Sequence, residues 1–261
     1  YFGGEQARDT LEIGPEGAVI TDRLGINGSD ALDSIEVLDF DSDFFEGGFD
    51  LEQFGGLAGL APEALESFIE LYIAYFNRAP DAVGLSFWGT AFANGTTLEQ
   101  TASLFIDQDE TRATYPEGLS NEEFATSVYN NVLGRVADQS GFDFWVGVLD
   151  DGSVTQDQFI LAILGGAKAD PPVDASDAFV AQQLADREYL ANKTDIGTYF
   201  AVNRGMSDVE NAIAVMQLFD GTQTSITDAI DLTDQYFAEA GSADSGAFLM
   251  PIVGILDDPF M

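Results

Sequence analysis

The chain has 261 residues, with 9 Lys plus Arg against 46 Asp plus Glu and no His, for a formal net charge of −37. That excess argues against a nucleic-acid binder, which needs a basic footprint on phosphate, and against docking or insertion at an anionic membrane. With neither Cys nor His, disulfides, thiolate nucleophiles, imidazole triads and Cys- or His-ligated metals are excluded.

What remains is carboxylate and hydroxyl chemistry and hard cations that prefer oxygen. A hydrophobic share of 46%, with 21 Phe, 8 Tyr and 2 Trp, separates this chain from acidic disordered sequences and predicts a sizeable core under an acidic surface. No run of 18 apolar residues is present, so no membrane span is expected. The opening Tyr1-Phe2-Gly3-Gly4 has no initiator Met, which reads as a trimmed chain or the C-terminal part of a longer one.

Residues 1–50 read as β. Leu11-Glu12-Ile13, Ala18 to Thr21 and Ile35 to Phe40 are β-prone, and the last places Ile35, Val37 and Phe40 as a half-buried strand. Gly14-Pro15-Glu16-Gly17 and Gly25 to Asp30 are turns between them. Residues 41–60 are Gly-rich and acidic and read as a linker. From about 62 the spacing of Phe68, Leu71, Tyr72, Tyr75 and Phe76 predicts helix, and helical stretches with short breaks continue to about 168. Asp170-Pro171-Pro172 is a firm break. Helix resumes near Ser176 and runs to about 240, interrupted near Asn203-Arg204-Gly205 and Phe219-Asp220-Gly221. The tail 241–261 is small and acidic, then apolar. The expected parts are 1–50, 51–170 and 171–261.

The most informative feature is an internal repeat. LYIAYFNRAPDAVGLSFWGTAFANG at 71–95 aligns without a gap on VYNNVLGRVADQSGFDFWVGVLDDG at 128–152. The shared positions are Tyr72 and Tyr129, Arg78 and Arg135, Asp81 and Asp138, Gly84 and Gly141, Phe87 and Phe144, and Trp88 and Trp145. Gly95 and Gly152 close each unit. Each reads as helix, tight turn, helix. Asp81 and Asp138 stand where a carboxylate caps the second helix, or alternatively ligates calcium in the turn. Arg78 and Arg135 suit a pairing with a local carboxylate or helix-end carbonyls, or a clamp for an acidic sugar. Both Trp suit core, or a stacking platform for a sugar.

The pattern Y-x5-R-x-x-D-x-x-G-x-x-x-W, present twice, resembles the bacterial family catalogued as domain of unknown function 4214. The resemblance covers about 62–168. It extends to Asn192 through Phe200, and to the segment Asn27 through Phe40, which is similar to a β-segment that often precedes such modules. The family commonly sits near the C-terminus of proteins exported with calcium-binding RTX repeats. The resemblance therefore implies an extracellular or cell-surface protein exported without an N-terminal signal in this chain. Val136-Ala137 departs from the family's usual proline at the turn. Gly3 to Leu11 is only a degenerate echo of an RTX nonapeptide. The end, Leu256 through Met261, resembles the acidic-then-apolar termini of type I secretion substrates.

Carboxylates are too abundant for any pair to single out an active site, and Glu122 and Glu123 point to different helix faces. There is no phosphate loop and no nucleophile elbow. Calcium is the expected cofactor. Asp30 and Asp33 near Asn27-Gly28-Ser29 form one candidate loop, and Asp39, Asp41, Asp43 and Glu46 before Gly47-Gly48 form another. The second is not an EF-hand, because Phe44 occupies the glycine position and Asp50 stands where the glutamate belongs. A solvated acidic linker is the competing reading.

The sequence thus predicts a mainly α protein with a small N-terminal β part, built on a duplicated helix-turn-helix unit plus a further C-terminal helical region. The expected role is a non-enzymatic structural or adhesive module of a surface layer, matrix or virion-like spike. Its partners would be other copies, surface proteins or glycans. The alternative is a polysaccharide hydrolase or lyase, or a glycan-binding module.

Overall fold

The computed structural model describes residues 8–25, 27–40, 48–242 and 246–261. The protein is mainly α, with a small β part at its N-terminal end. Strands β1 (Asp9–Gly14), β2 (Gly17–Asp22) and β3 (Ser29–Leu32) form an antiparallel sheet in that order. Leu11 lies opposite Ile20, and both are buried on the inner face. The Gly14-to-Gly17 turn closes the first hairpin, and Gly17 takes the left-handed φ of 124° that the turn requires.

The other side of β1 is occupied by the C-terminal stretch of the chain, which runs parallel to it. Leu11 and Ile13 donate backbone N–H groups to the carbonyls of Leu249 and Pro251 at 2.8 and 3.1 Å. The opposite edge of that stretch is also bonded. Met250 donates to Gly205 at 2.8 Å and Ile252 to Val202 at 2.9 Å. The tail is therefore a strand laid between the sheet and the helical body, and it ends with Phe260 packed edge-on to Tyr199.

Two readings need correction here. The 35–40 strand shrinks to β4 (Val37–Leu38), and Val37 faces outward while Leu38 and Phe40 are buried. Ser34 just before it takes φ 57°, which turns the chain and shifts the inward register. Within 41–60, residues 41–47 lie outside those described, but 48–60 are no linker. They form β5 (Phe49–Asp50), α1 (Leu51–Phe54) and a 3-10 turn (Gly56–Gly59). Phe49, Phe54 and Leu57 are buried, and Phe49 stacks on Phe54 at 4.2 Å. The apolar side chains, rather than the glycines between them, determine the outcome.

The body follows as α2 (Pro62–Phe76), α3 (Ala82–Ala93), α4 (Leu98–Phe105), α5 (Asp109–Thr114), α6 (Asn121–Leu133), α7 (Gln139–Asp150) and α8 (Gln156–Lys168). Then come α9 (Asp177–Thr198), a π turn (Tyr199–Asn203), α10 (Val209–Leu218) and α11 (Gln223–Ala240). Caps explain the starts. Thr97 with Gln100, Ser120 with Glu123 and Thr155 with Gln158 form capping boxes at α4, α6 and α8. Helix α2 is the central element: its Phe68, Ile69, Leu71, Ile73 and Tyr75 are all fully buried. It packs against α3, α4, α5, α6, α8 and α9, which is why its sequence is apolar around most of its circumference. No helix among the described residues is long and apolar enough to cross a membrane.

Candidate functional site

The repeat residues form two equivalent joints. Asp81 accepts the Gly84 N–H at 2.6 Å, and Asp138 accepts the Gly141 N–H at 2.9 Å, so both carboxylates are N-caps. That backbone bond holds Asp138 below the usual carboxylate range. A Cβ on Gly84 would lie 2.8 Å from the Asp81 carboxylate and 2.9 Å from the Tyr72 hydroxyl, and one on Gly141 would lie 3.2 Å from Asp138. The glycine three after the aspartate is thus the space in which the cap sits.

Arg78 is 3% exposed and grips Glu110 with both arms, through Nε and through Nη2 at 3.0 Å; Nη2 also reaches Asp81 at 3.2 Å. Burial opposes the Arg78 charge, but Glu110 and Asp81 outweigh it and raise its pKa. Arg135 repeats the arrangement with Asp186, at 2.6 Å to each carboxylate oxygen. Each guanidinium also lies over a repeat tyrosine, 5.8 Å from the centre of the Tyr72 ring and 5.4 Å from that of Tyr129. Trp88 packs edge-on to Phe105 at 5.2 Å, and Trp145 on Phe159 at 5.3 Å, both against the core rather than as open platforms. Gly95 and Gly152 take φ of 104° and 74° where α3 and α7 end.

Several clefts surround this framework. The first, of about 420 Å³, lies between α2, α9 and the C-terminal stretch and carries Glu66, Glu70, Asp195 and Asp257. Burial raises Glu70 against the opposing pull of its partner Lys168, and burial plus the charge of Glu66 raises Asp195. The second, of about 400 Å³, lies at the C-terminal end of α2 and is lined by Asn77, Glu110, Asn131 and Gln217 among others. The third, of about 290 Å³, lies at the matching end of α6, beside Arg135 and Asp186.

Lys193 sits between the two repeats. It is 3% exposed and donates to Asn77 Oδ1 at 2.9 Å and to the Asn131 carbonyl at 2.7 Å. These acceptors belong to the last turns of α2 and α6, where carbonyls lack helical partners and the helix dipoles favour a cation. Burial nevertheless pushes the Lys193 ammonium down to about 7.

Asp30, Asp33 and Asp39 are all exposed. Asp33 accepts the Ser34 hydroxyl at 3.3 Å. Asp41 and Asp43 lie outside the described residues. Among those described, no group of three or more Asp, Glu, His or Cys side chains converges to hold a metal ion. Sequence reasoning missed Glu110, Asp186 and Lys193. Nothing marks the two acids among 46, while a lone lysine in the 192–200 segment, amid so many acids, was a signal that could have been used.

Comparison with known proteins finds a family-model match. The family model for the domain of unknown function (DUF4214) covers residues 102–169. That stretch runs from within α4 through α8. It contains the second repeat and leaves the first, at 71–95, outside. No curated protein and no solved structure matches the chain. Residues 102–169 are thus similar to a family whose function is itself unassigned.

Proposed function

We propose that this chain is a non-enzymatic structural or adhesive module of an exported bacterial surface protein, stabilised by calcium at its acidic surface. One observation carries the reading. The repeated Tyr, Arg, Asp, Gly and Trp positions, the most distinctive chemistry in the sequence, are engaged within the fold as caps, ion pairs and aromatics packed on the core, while Phe87 and Phe144 stay exposed. The remaining surface is dominated by acids, which repel one another and attract divalent cations. The match at 102–169 supports the family resemblance, and the RTX-type export context is what that resemblance implies.

The first cleft supports a second reading, a polysaccharide hydrolase or lyase. A carboxyl raised by burial, such as Asp195, has the property a general acid needs.

One experiment separates them. The chain is incubated with bacterial surface polysaccharide in calcium, then assayed for sedimentation and for new chain ends. The structural reading expects higher-order assembly or co-sedimentation, with no new ends. Release of ends by the wild type, abolished in Asp195→Asn, would overturn it.

A further inference from the structure

We propose that the cleft between α2, α5, α6 and α10 is a subsite for a neutral saccharide, recognised through a pair of adjacent hydroxyls. The inference rests on the adhesive reading above and names its ligand class.

The argument begins with two amides whose orientation the surrounding chemistry fixes. Asn77 ends α2 in the left-handed conformation, at φ 50°, which asparagine tolerates better than other non-glycine residues. Its neighbour Lys193 in the ammonium form has donors only, so below about pH 7 Asn77 accepts through Oδ1 and its Nδ2 group stays free to donate. Asn131 is fixed in the opposite sense. The Tyr115 hydroxyl gives its single proton to the Ala74 carbonyl at 2.6 Å, so it can only accept from Asn131 Nδ2, at 3.3 Å. The Oδ1 of Asn131 is left as an acceptor. Both amides line the cleft of about 400 Å³, one with its donor unengaged and the other with its acceptor unengaged. Each is held from behind by a buried group, since Lys193 is 3% and Tyr115 6% exposed. Such preorganisation lowers the ordering cost of binding.

A vicinal diol matches this pair, because each hydroxyl can donate and accept. Asn130 and Gln217 line the same cleft and are exposed, and their side chains make no hydrogen bond to the described residues. Phe76 and Ile213 add apolar surface for the C–H face of a sugar ring. Charge selects a neutral ligand. Glu110 is already held by both arms of Arg78, so it offers little to a cation. Among the described residues no Lys or Arg lines the cleft to receive a phosphate or uronate, and the chain carries a net charge of −37.

The repeat-related cleft at α6 does not share the feature. Gly134 stands in place of Asn77, and a Cβ there would meet the Tyr189 ring at 2.3 Å. Tyr189 fills the space that the Asn77 amide uses in the first cleft.

The test is a titration of the 15N-labelled full chain with the methyl glycosides of glucose, galactose and mannose, following the Asn side-chain amide resonances. Glucuronate and glycerol are the controls. At least one methyl glycoside should shift the Asn77 and Asn131 amides saturably, whereas glucuronate should not, and glycerol, which has the diol without the ring, should do so only at much higher concentration. The surface double variant Asn130→Ala/Gln217→Ala should bind about tenfold more weakly with unchanged thermal stability. The proposal is overturned if none of the three glycosides moves those amides, if glycerol or glucuronate moves them equally, or if the double variant binds as tightly as wild type. Failure here with calcium-dependent assembly intact would discard this cleft and leave the structural reading standing.

Discussion

Arg78 and Arg135 occupy one repeat position but differ in burial, with side chains 4% and 24% exposed. Removing one partner of a buried pair leaves the other charge uncompensated, so Arg78→Met should destabilise the protein by about 3 kcal/mol. Arg135→Met should cost less, because water reaches that guanidinium. Urea unfolding of both variants gives the comparison, and equal losses would count against it.

Lys193 supplies a pH signature. Its folded pKa of about 7 lies below the usual lysine value of 10.5, so the unfolded chain holds more protons between those limits. The stability that depends on Lys193 should therefore be lowest below about pH 7 and rise by about 1 kcal/mol per pH unit on going alkaline from there. Lys193→Met should flatten that slope in urea midpoints measured from about pH 7 to about pH 9. A slope unchanged by the substitution would show that the lysine is not the group responsible. At this scale the sequence revealed the aspartate caps, because a cap acts within three residues. It did not reveal Glu110 or Asp186, which lie 32 and 51 residues from their arginines.

Among the elements, the helices were legible because their starts and stops are local chemistry: capping boxes, Asp81 and Asp138, and the glycines at 95, 134 and 152. The fate of 48–60 was not. Its Phe and Leu are too widely spaced to show a period and become ordered only by docking on α3, where Leu57 sits 3.0 Å from the place of a Gly89 Cβ. The C-terminal strand was equally hidden, since its partner β1 lies at the other end of the chain. Two glycine substitutions test this packing in opposite directions. At Gly205, with φ 66°, a Cβ would fall 2.3 Å from the Pro251 nitrogen, so Gly205→Ala should cost about 3 kcal/mol and loosen the tail from β1. Gly165 lies inside α8 with nothing within 4 Å of an added Cβ, so Gly165→Ala should gain about 0.5–1 kcal/mol. Melting temperatures that move the same way for both would contradict the packing described here.

For the molecule as a whole, a single feature governs behaviour in solution, the charge of −37. Self-repulsion opposes the compact state, and counter-ions relieve it. Monovalent salt should therefore raise stability without specificity, whereas an ion that binds native sites adds stability by mass action. The sequence made this acidity plain, but it could not show how the exposed Asp30, Asp33 and Asp39 would be disposed. The clefts were invisible for a related reason: helices far apart in sequence build them, as Asn77, Asn131 and Gln217 do. The most direct measurement is a thermal melt titrated with calcium, against magnesium at matched ionic strength and an EDTA baseline. The account predicts a rise of several degrees with calcium that magnesium does not reproduce. Equal responses to the two ions, or a response to bulk salt alone, would contradict a calcium-stabilised surface module.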